Sequence, residues 1–293
     1  MVVIYFGNLF AVFVIIASFG IGCMLQSNSA CTSIVQNFNI DVNFVAVIIT
    51  ILGIYFVFSE EKKIAKISSI IIPISTIIYL IMSIMLLYIF KDNIVNSIVN
   101  ITKSALNIKS GISGVICFGF MRALSTGLSK GMFSNEAGMG SSPIFEVTVN
   151  NKNIKEQSII SSISVFIDTT VLCTITGIIF VSSGCYINEY NPFILVQNVF
   201  NNLPYGSYLL SFCLTTFAIA TIPCWAYYGK QAVKYLFSNR YIYTNIYKII
   251  YVMCIYIGAI INLEFVWNIS SIANAFMAIP NLFMIYYLIN EIK

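Results

Sequence analysis

The chain has 293 residues, of which 59% are hydrophobic and only 9% charged, with a mean hydropathy of +0.90. A soluble domain is about one-quarter charged, so this composition excludes a water-soluble body and points to an all-α integral membrane protein. The absence of histidine excludes Ser-His-Asp and Cys-His nucleophiles, His-ligated metals and imidazole relays, and a net charge of +4 is too small and too confined to loops for a nucleic-acid partner.

A bilayer core about 30 Å thick requires roughly 20 apolar residues in helical form. The first such run covers residues 2–26; it lacks a basic leader region and a cleavage site, so it reads as a span and not a signal peptide. Its distal part is polar, with Ser18, Gly20, Gly22, Gln26, Asn28 and Ser29. Gly20 and Gly22 lie too close together for a G-x-x-x-G seam, and Gln26 either faces an interior site or ends the helix at the interface. Runs 42–58 and 68–90 follow.

The fourth run, 112–149, is interrupted by glycine and polar residues. An ionisable group at membrane depth costs about 2.5–3.5 kcal/mol on insertion scales. Arg122, Lys130, Glu136 and Glu146 fall in this run, with Asp168 and Glu264 elsewhere. Gly127, Gly131, Gly138 and Gly140, with Pro143, are poor material for a helix interior. Unwound backbone at that depth must line a protein-enclosed cavity or hold a ligand, as the broken helices of secondary transporters do. The alternative is a loop after a short span, with Asn135 and Glu136 as helix caps.

Run 154–183 buries Asp168, for which a structural pairing with Arg122, Lys130 or a polar helix end is expected. Segment 191–203 is too short and polar to cross, and reads as a surface helix or hairpin ended by Pro204 and Gly206. In run 208–237, Pro223 is expected to kink the helix and free the carbonyl of Ile219. A freed carbonyl beside the Thr221 hydroxyl suits a hard cation; alternatively Thr221 bonds back to its own helix and Trp225 merely packs. Runs 243–263 and 266–289 complete eight spans.

Loop charge orients the chain. Lys62, Lys63, Lys66, Lys152, Lys155, Lys230, Lys234, Arg240, Lys248 and Lys293 fall on one side, against Lys91, Lys103 and Lys109 on the other. Basic residues accumulate on the cytoplasmic side, so both termini are expected there. Six of the eight cysteines sit inside apolar runs as small hydrophobes; Cys31 and Cys185 fall near segment ends, where a bridge is conceivable. No G-x-G-D motif or pair of intramembrane aspartates supports a membrane protease.

The segment GMFSNEAGMGSSP at 131–143 resembles the signature G-(L/I/M)-F-S-N-E-(A/S)-G-x-G-S-A-P of the alanine/glycine:cation symporter family, the sodium:alanine symporters. ASFGIGCMLQSN at 17–28, FIDTT at 166–170, WAYYG at 225–229 and AIPN at 278–281 are similar to other motifs of that family. The resemblance covers essentially the whole chain and implies residues 1–293 as one transmembrane transporter domain, multi-pass in the plasma membrane of a bacterium. The implied fold is a partial LeuT-like (APC-type) inverted-repeat transporter, with eight transmembrane helices, one of them broken, matching the third to tenth helices of that fold.

By the same resemblance the function is symport of a small neutral amino acid, alanine or glycine, with Na+ (or H+) as coupling ion, no other cofactor and no enzymatic chemistry. Gly22 and Gln26 would face the substrate from the first span, and Gly127, Ser129, Phe133 and Asn135 from a helix broken between Gly127 and Asn135. Trp225 would close the side-chain pocket, and Ala220 and Thr221 would stand at the cation. Arg122, Glu136 and Asp168 would be structural charges. Departures are Cys23 for an Asn, Ser125-Thr126 for an Arg-aromatic pair, Ala220 for a hydroxyl residue, and Glu146 for His or Ala. The family's first helices, which hold a G-T-G-N-I break and half of the substrate site, have no counterpart here. A truncated or split-gene fragment, partnered by a separately encoded N-terminal piece and inactive alone, is therefore the alternative expectation.

Overall fold

The structure is a computed structural model that describes residues 2–106, 114–146, 153–187 and 192–289. Lys109, Lys152 and Lys293 of the charge pattern, both ends of run 112–149, and Asn191 lie outside the described residues. Among the described residues every regular element is helical. The elements are α1 (Val2–Ala17), α2 (Leu25–Phe38), α3 (Val42–Val57), α4 (Glu61–Ile89), α5 (Lys91–Leu106), α6 (Gly114–Asn135) and α7 (Ser141–Glu146). They continue as α8 (Ile154–Val165), α9 (Cys173–Ser183), α10 (Pro192–Phe200), α11 (Gly206–Leu236), α12 (Tyr241–Ile260) and α13 (Leu263–Leu288). Among the described residues, six helical stretches are long and apolar enough to cross a bilayer: Val3–Phe38, Lys63–Ile89, Lys155–Ser183, Gly206–Leu236, Tyr241–Ile260 and Glu264–Leu288. Against the eight runs expected, α3 is apolar but has only 16 residues, about 24 Å at 1.5 Å per residue, and α6 dilutes its apolar residues with Arg122, Lys130 and four glycines.

Local chemistry explains the ends. Asn39 adopts a left-handed φ of 51° and closes α2, its N–H donating to the Val35 carbonyl at 2.9 Å. Two residues on, the Asp41 carboxylate accepts the N–H groups of Asn43 and Phe44 and so caps α3. Asn262 caps α13 by accepting the Glu264 N–H at 2.8 Å. The first helix does not stop near residue 26: Ser18–Met24 forms a π-helical turn joining α1 to α2 in one rod ending at Phe38. Gln26 is therefore a mid-helix residue, because the polar side chains beyond it find partners within the fold instead of water.

The chain forms two compact units. The first contains residues 1–76, 136–152 and 211–293. Within it α12 packs on α2, α3 and the π turn, and α13 packs on α1. Its core joins Cys23, Ala30, Ala46, Tyr247, Tyr251 and Ile255. Asn28 threads into this packing, its Nδ2 donating to the carbonyls of Gly258 (2.8 Å) and Ile261 (2.7 Å) at the end of α12. These are carbonyls that a helix end leaves without an intrahelical donor.

The second unit contains residues 77–135 and 153–210. There α5 packs on α9, Tyr79 and Thr176 share a hydroxyl–hydroxyl bond of 2.7 Å, and Asn93 Nδ2 donates to the Ser182 carbonyl at 3.1 Å. A second π-helical turn, Phe166–Leu172, joins α8 to α9. Segment 191–203 contains α10, as expected for a helix or hairpin there, with Val199 and Phe200 buried. Exposed isoleucine and phenylalanine along both units, such as Ile51, Ile77, Phe166 and Phe283, form surface suited to lipid. Cys31 and Cys185 are both free thiols, so the conceivable bridge is absent.

Candidate functional site

In the first unit, two departures from regular α-helix, one near α11, α12 and α13 and one against α1 and α13, frame the candidate site. The π turn at Ser18–Met24 coincides with the SFGIG part of the first motif. The Leu25 N–H donates to the Gly20 carbonyl, five residues back. Where such a turn reverts to ordinary winding, one carbonyl is left without its intrahelical donor, which is why π turns recur at functional positions. Side chains satisfy neighbouring carbonyls: Ser18 Oγ donates to Ile15 O at 2.7 Å and Cys23 Sγ to Phe19 O at 3.0 Å. Ser18 also meets the Tyr247 hydroxyl at 2.8 Å.

Gly22 lies on the buried side of this turn, against Trp225 of α11. Trp225 is itself buried and meets Tyr228 edge-on, with ring centroids 5.3 Å apart. Tyr251 donates from α12 to the Ile222 carbonyl at 2.7 Å. The structure thus brings together Gly22 and Trp225, with Gln26 one turn along the rod and half-buried. Ala220 is buried and Thr221 half-buried on the same stretch of α11. That helix contains Pro223 in its interior and stays helical on either side of it, while proline deprives Ile219 O of its intrahelical donor. Thr215 and Thr216 bond back to their own helix, whereas among the described residues no such bond ties Thr221.

The second departure is the helix break, and its position differs from expectation. Gly127, Ser129, Phe133 and Asn135 all lie inside α6, which stays helical to Asn135. Interior glycines cost only about 1 kcal/mol each, which a long helix tolerates. The chain turns at Glu136–Gly140, where Glu136, Gly138 and Gly140 take left-handed φ values of 52°, 79° and 80°. Ser141 Oγ donates to the Glu136 carboxylate at 2.9 Å, and Asn281 Nδ2 donates to the Gly138 carbonyl at 2.8 Å. Glu136 lies within electrostatic reach of Cys224 and Tyr228 of α11, while the glycines of the break lie against Phe10, Asn281 and Leu282.

In the second unit Arg122 and Gly127 are exposed and Ser129, Phe133 and Asn135 half-buried. Asp168, expected to be buried, is exposed on the π turn of α8–α9. The sequence reading missed the π turn at Ser18–Met24, Tyr247, Tyr251 and Asn281 as parts of the frame, and marked Asn28 only as a polar residue of the first span. Asn28 and Asn281 do stand in the quoted motifs, but their partners lie more than 100 residues away.

The family model described as the sodium:alanine symporter family matches residues 3–293. The chain belongs to the sodium:alanine symporter family. An uncharacterized transporter of Haemophilus influenzae is 32% identical over 95% of the chain and 62% of its own length. The sodium/alanine symporter AgcS of Methanococcus maripaludis is 32% identical over 94% of the chain and 61% of its own length. The amino-acid carrier protein AlsT of Bacillus subtilis is 27% identical over 98% and 61%. The chain spans about three-fifths of the length of these relatives. Membership of the sodium:alanine symporter family makes it a multi-pass membrane protein of a transporter family and not an enzyme.

Proposed function

We propose that this protein serves in a carrier that moves a small neutral amino acid, alanine or glycine, together with Na+ across the cell membrane. The observation that carries the reading is the helix break at Glu136–Gly140, pinned by Asn281 and Ser141, with Glu136 in electrostatic reach of Tyr228, the edge-on partner of Trp225. Main chain released from a helix at membrane depth has N–H and C=O groups to offer a zwitterion. An indole wall favours a small side chain, because overfilling a packed site costs about 1–3 kcal/mol.

In this reading the eight spans form part of a LeuT-like inverted-repeat fold with both termini in the cytoplasm, as the excess of loop lysines supports. Gly22, Gln26 and Trp225 line the amino-acid side of the site, with Gly127, Ser129, Phe133 and Asn135 on the helix leading into the break. Thr221, with main chain at Ala220, supplies oxygen donors for Na+. Arg122, Glu136 and Asp168 hold structure and do not bind substrate. The test is equilibrium binding of labelled alanine to the purified protein in NaCl and in KCl. Saturable binding that requires Na+ is the expected result; binding equal in the two salts rejects ion coupling, and no binding of alanine or glycine rejects the substrate class.

A further inference from the structure

Between Glu189 and Glu264 the chain carries no carboxylate, yet it holds Lys230, Lys234, Arg240 and Lys248. Lys230 and Lys234, one turn apart near the end of α11, and Lys248 of α12 line one cavity of about 290 Å³ at the hairpin joining these helices. All three are half-buried. Lys248 is positioned by the Phe58 ring, 4.8 Å below its Nζ. Asn239, Asn245 and Tyr241 add neutral donors to the same wall. Three cations converging on one concavity with low-dielectric walls concentrate positive potential there.

The backbone adds to it. Helix α12 starts at this hairpin with Arg240 at its N-cap, no side-chain cap and no acidic residue in its first turn. Its first N–H groups therefore reinforce the attraction for an anion. A cavity lining of ammonium, amide, hydroxyl and phenol groups matches an anion with several oxygens, and phosphate is the fitting class.

The hairpin connects two membrane-length helices, so it lies at a bilayer surface. Tyr235, Phe237, Tyr241 and Ile242 are exposed around it, side chains of the kind that seat at the lipid–water boundary. We propose that this cavity binds a phosphate group, that of an anionic phospholipid headgroup, through Lys230, Lys234, Lys248 and Asn239. The assignment is independent of the amino-acid site and holds whichever side of the membrane the hairpin faces.

The test is native mass spectrometry of the full chain in detergent with phosphatidylglycerol, phosphatidylcholine or inorganic phosphate added. Phosphatidylglycerol should be retained over phosphatidylcholine, and Lys234→Gln with Lys248→Gln should cut that retention roughly tenfold. Should the double variant not fold, Asn239→Asp keeps the left-handed turn (φ 59°) while adding a carboxylate, and should cause the same loss. Displacement of the lipid by millimolar inorganic phosphate would support the phosphate chemistry and make the free ion the occupant. Equal retention of both lipids, or retention unchanged in both variants, overturns the proposal.

Discussion

A Cβ added to Gly22 would lie 2.7 Å from Trp225 Cγ and 3.0 Å from Tyr251 Oη, and both neighbours are enclosed in the core and unable to swing aside. Gly22→Ala should therefore lower stability by about 1–3 kcal/mol, the usual cost of overpacking. A thermal melt in detergent checks this, and an unchanged midpoint would show that the contact between the π turn and α11 is loose. Thr221 is a contrasting case. Its hydroxyl is not tied back to its helix as those of Thr215 and Thr216 are, so Thr221→Ala should leave the melt nearly unchanged while raising the Na+ concentration needed for half-maximal alanine binding. An unaltered Na+ dependence would remove Thr221 from the cation site. Gly22 and Trp225 were both legible as candidates from their motifs. That they touch was not, because contact between residues 203 positions apart depends on how helices pack and not on local periodicity.

At the scale of elements, the account rests on where α6 ends. Glycine frequency alone places the break too early, because Gly127 and Gly131 have open space around them and a helix absorbs them at modest cost. The turn comes where backbone of the wrong hand is held by outside partners, Ser141 on Glu136 and Asn281 on Gly138. Gly140 combines a φ of 80° with a close approach to Asn281, whose Oδ1 would lie 2.6 Å from an added Cβ. Gly140→Ala should thus cost about 1–2 kcal/mol from handedness alone, and should weaken Na+-dependent alanine binding more than Gly127→Ala does. Equal effects at the two glycines would separate the break from the binding site. The π turns at Ser18–Met24 and Phe166–Leu172 were equally hidden. One extra residue per turn leaves hydropathy and composition unaltered, although both turns fall on motifs that the family resemblance had already marked.

For the molecule as a whole, composition and hydropathy were enough to read an all-helical membrane protein, and most helices appear where apolar runs predicted them. What hydropathy does not encode is the grouping of helices, in which residues 136–152 belong with the first and last thirds of the chain instead of with α6. It also misses the continuation of the first rod to Phe38, since polar side chains such as Asn28 are stabilised by partners and not by water. All of the site's framing contacts seen in the first unit, from Gly22 against Trp225 to Asn281 on Gly138, serve one claim: that the protein couples a small amino acid to a cation. That claim is tested most directly by uptake of radiolabelled alanine into proteoliposomes containing the protein, with and without an imposed inward Na+ gradient. The account predicts accumulation above equilibrium that collapses when the gradient is dissipated, and uptake indifferent to the gradient would contradict it.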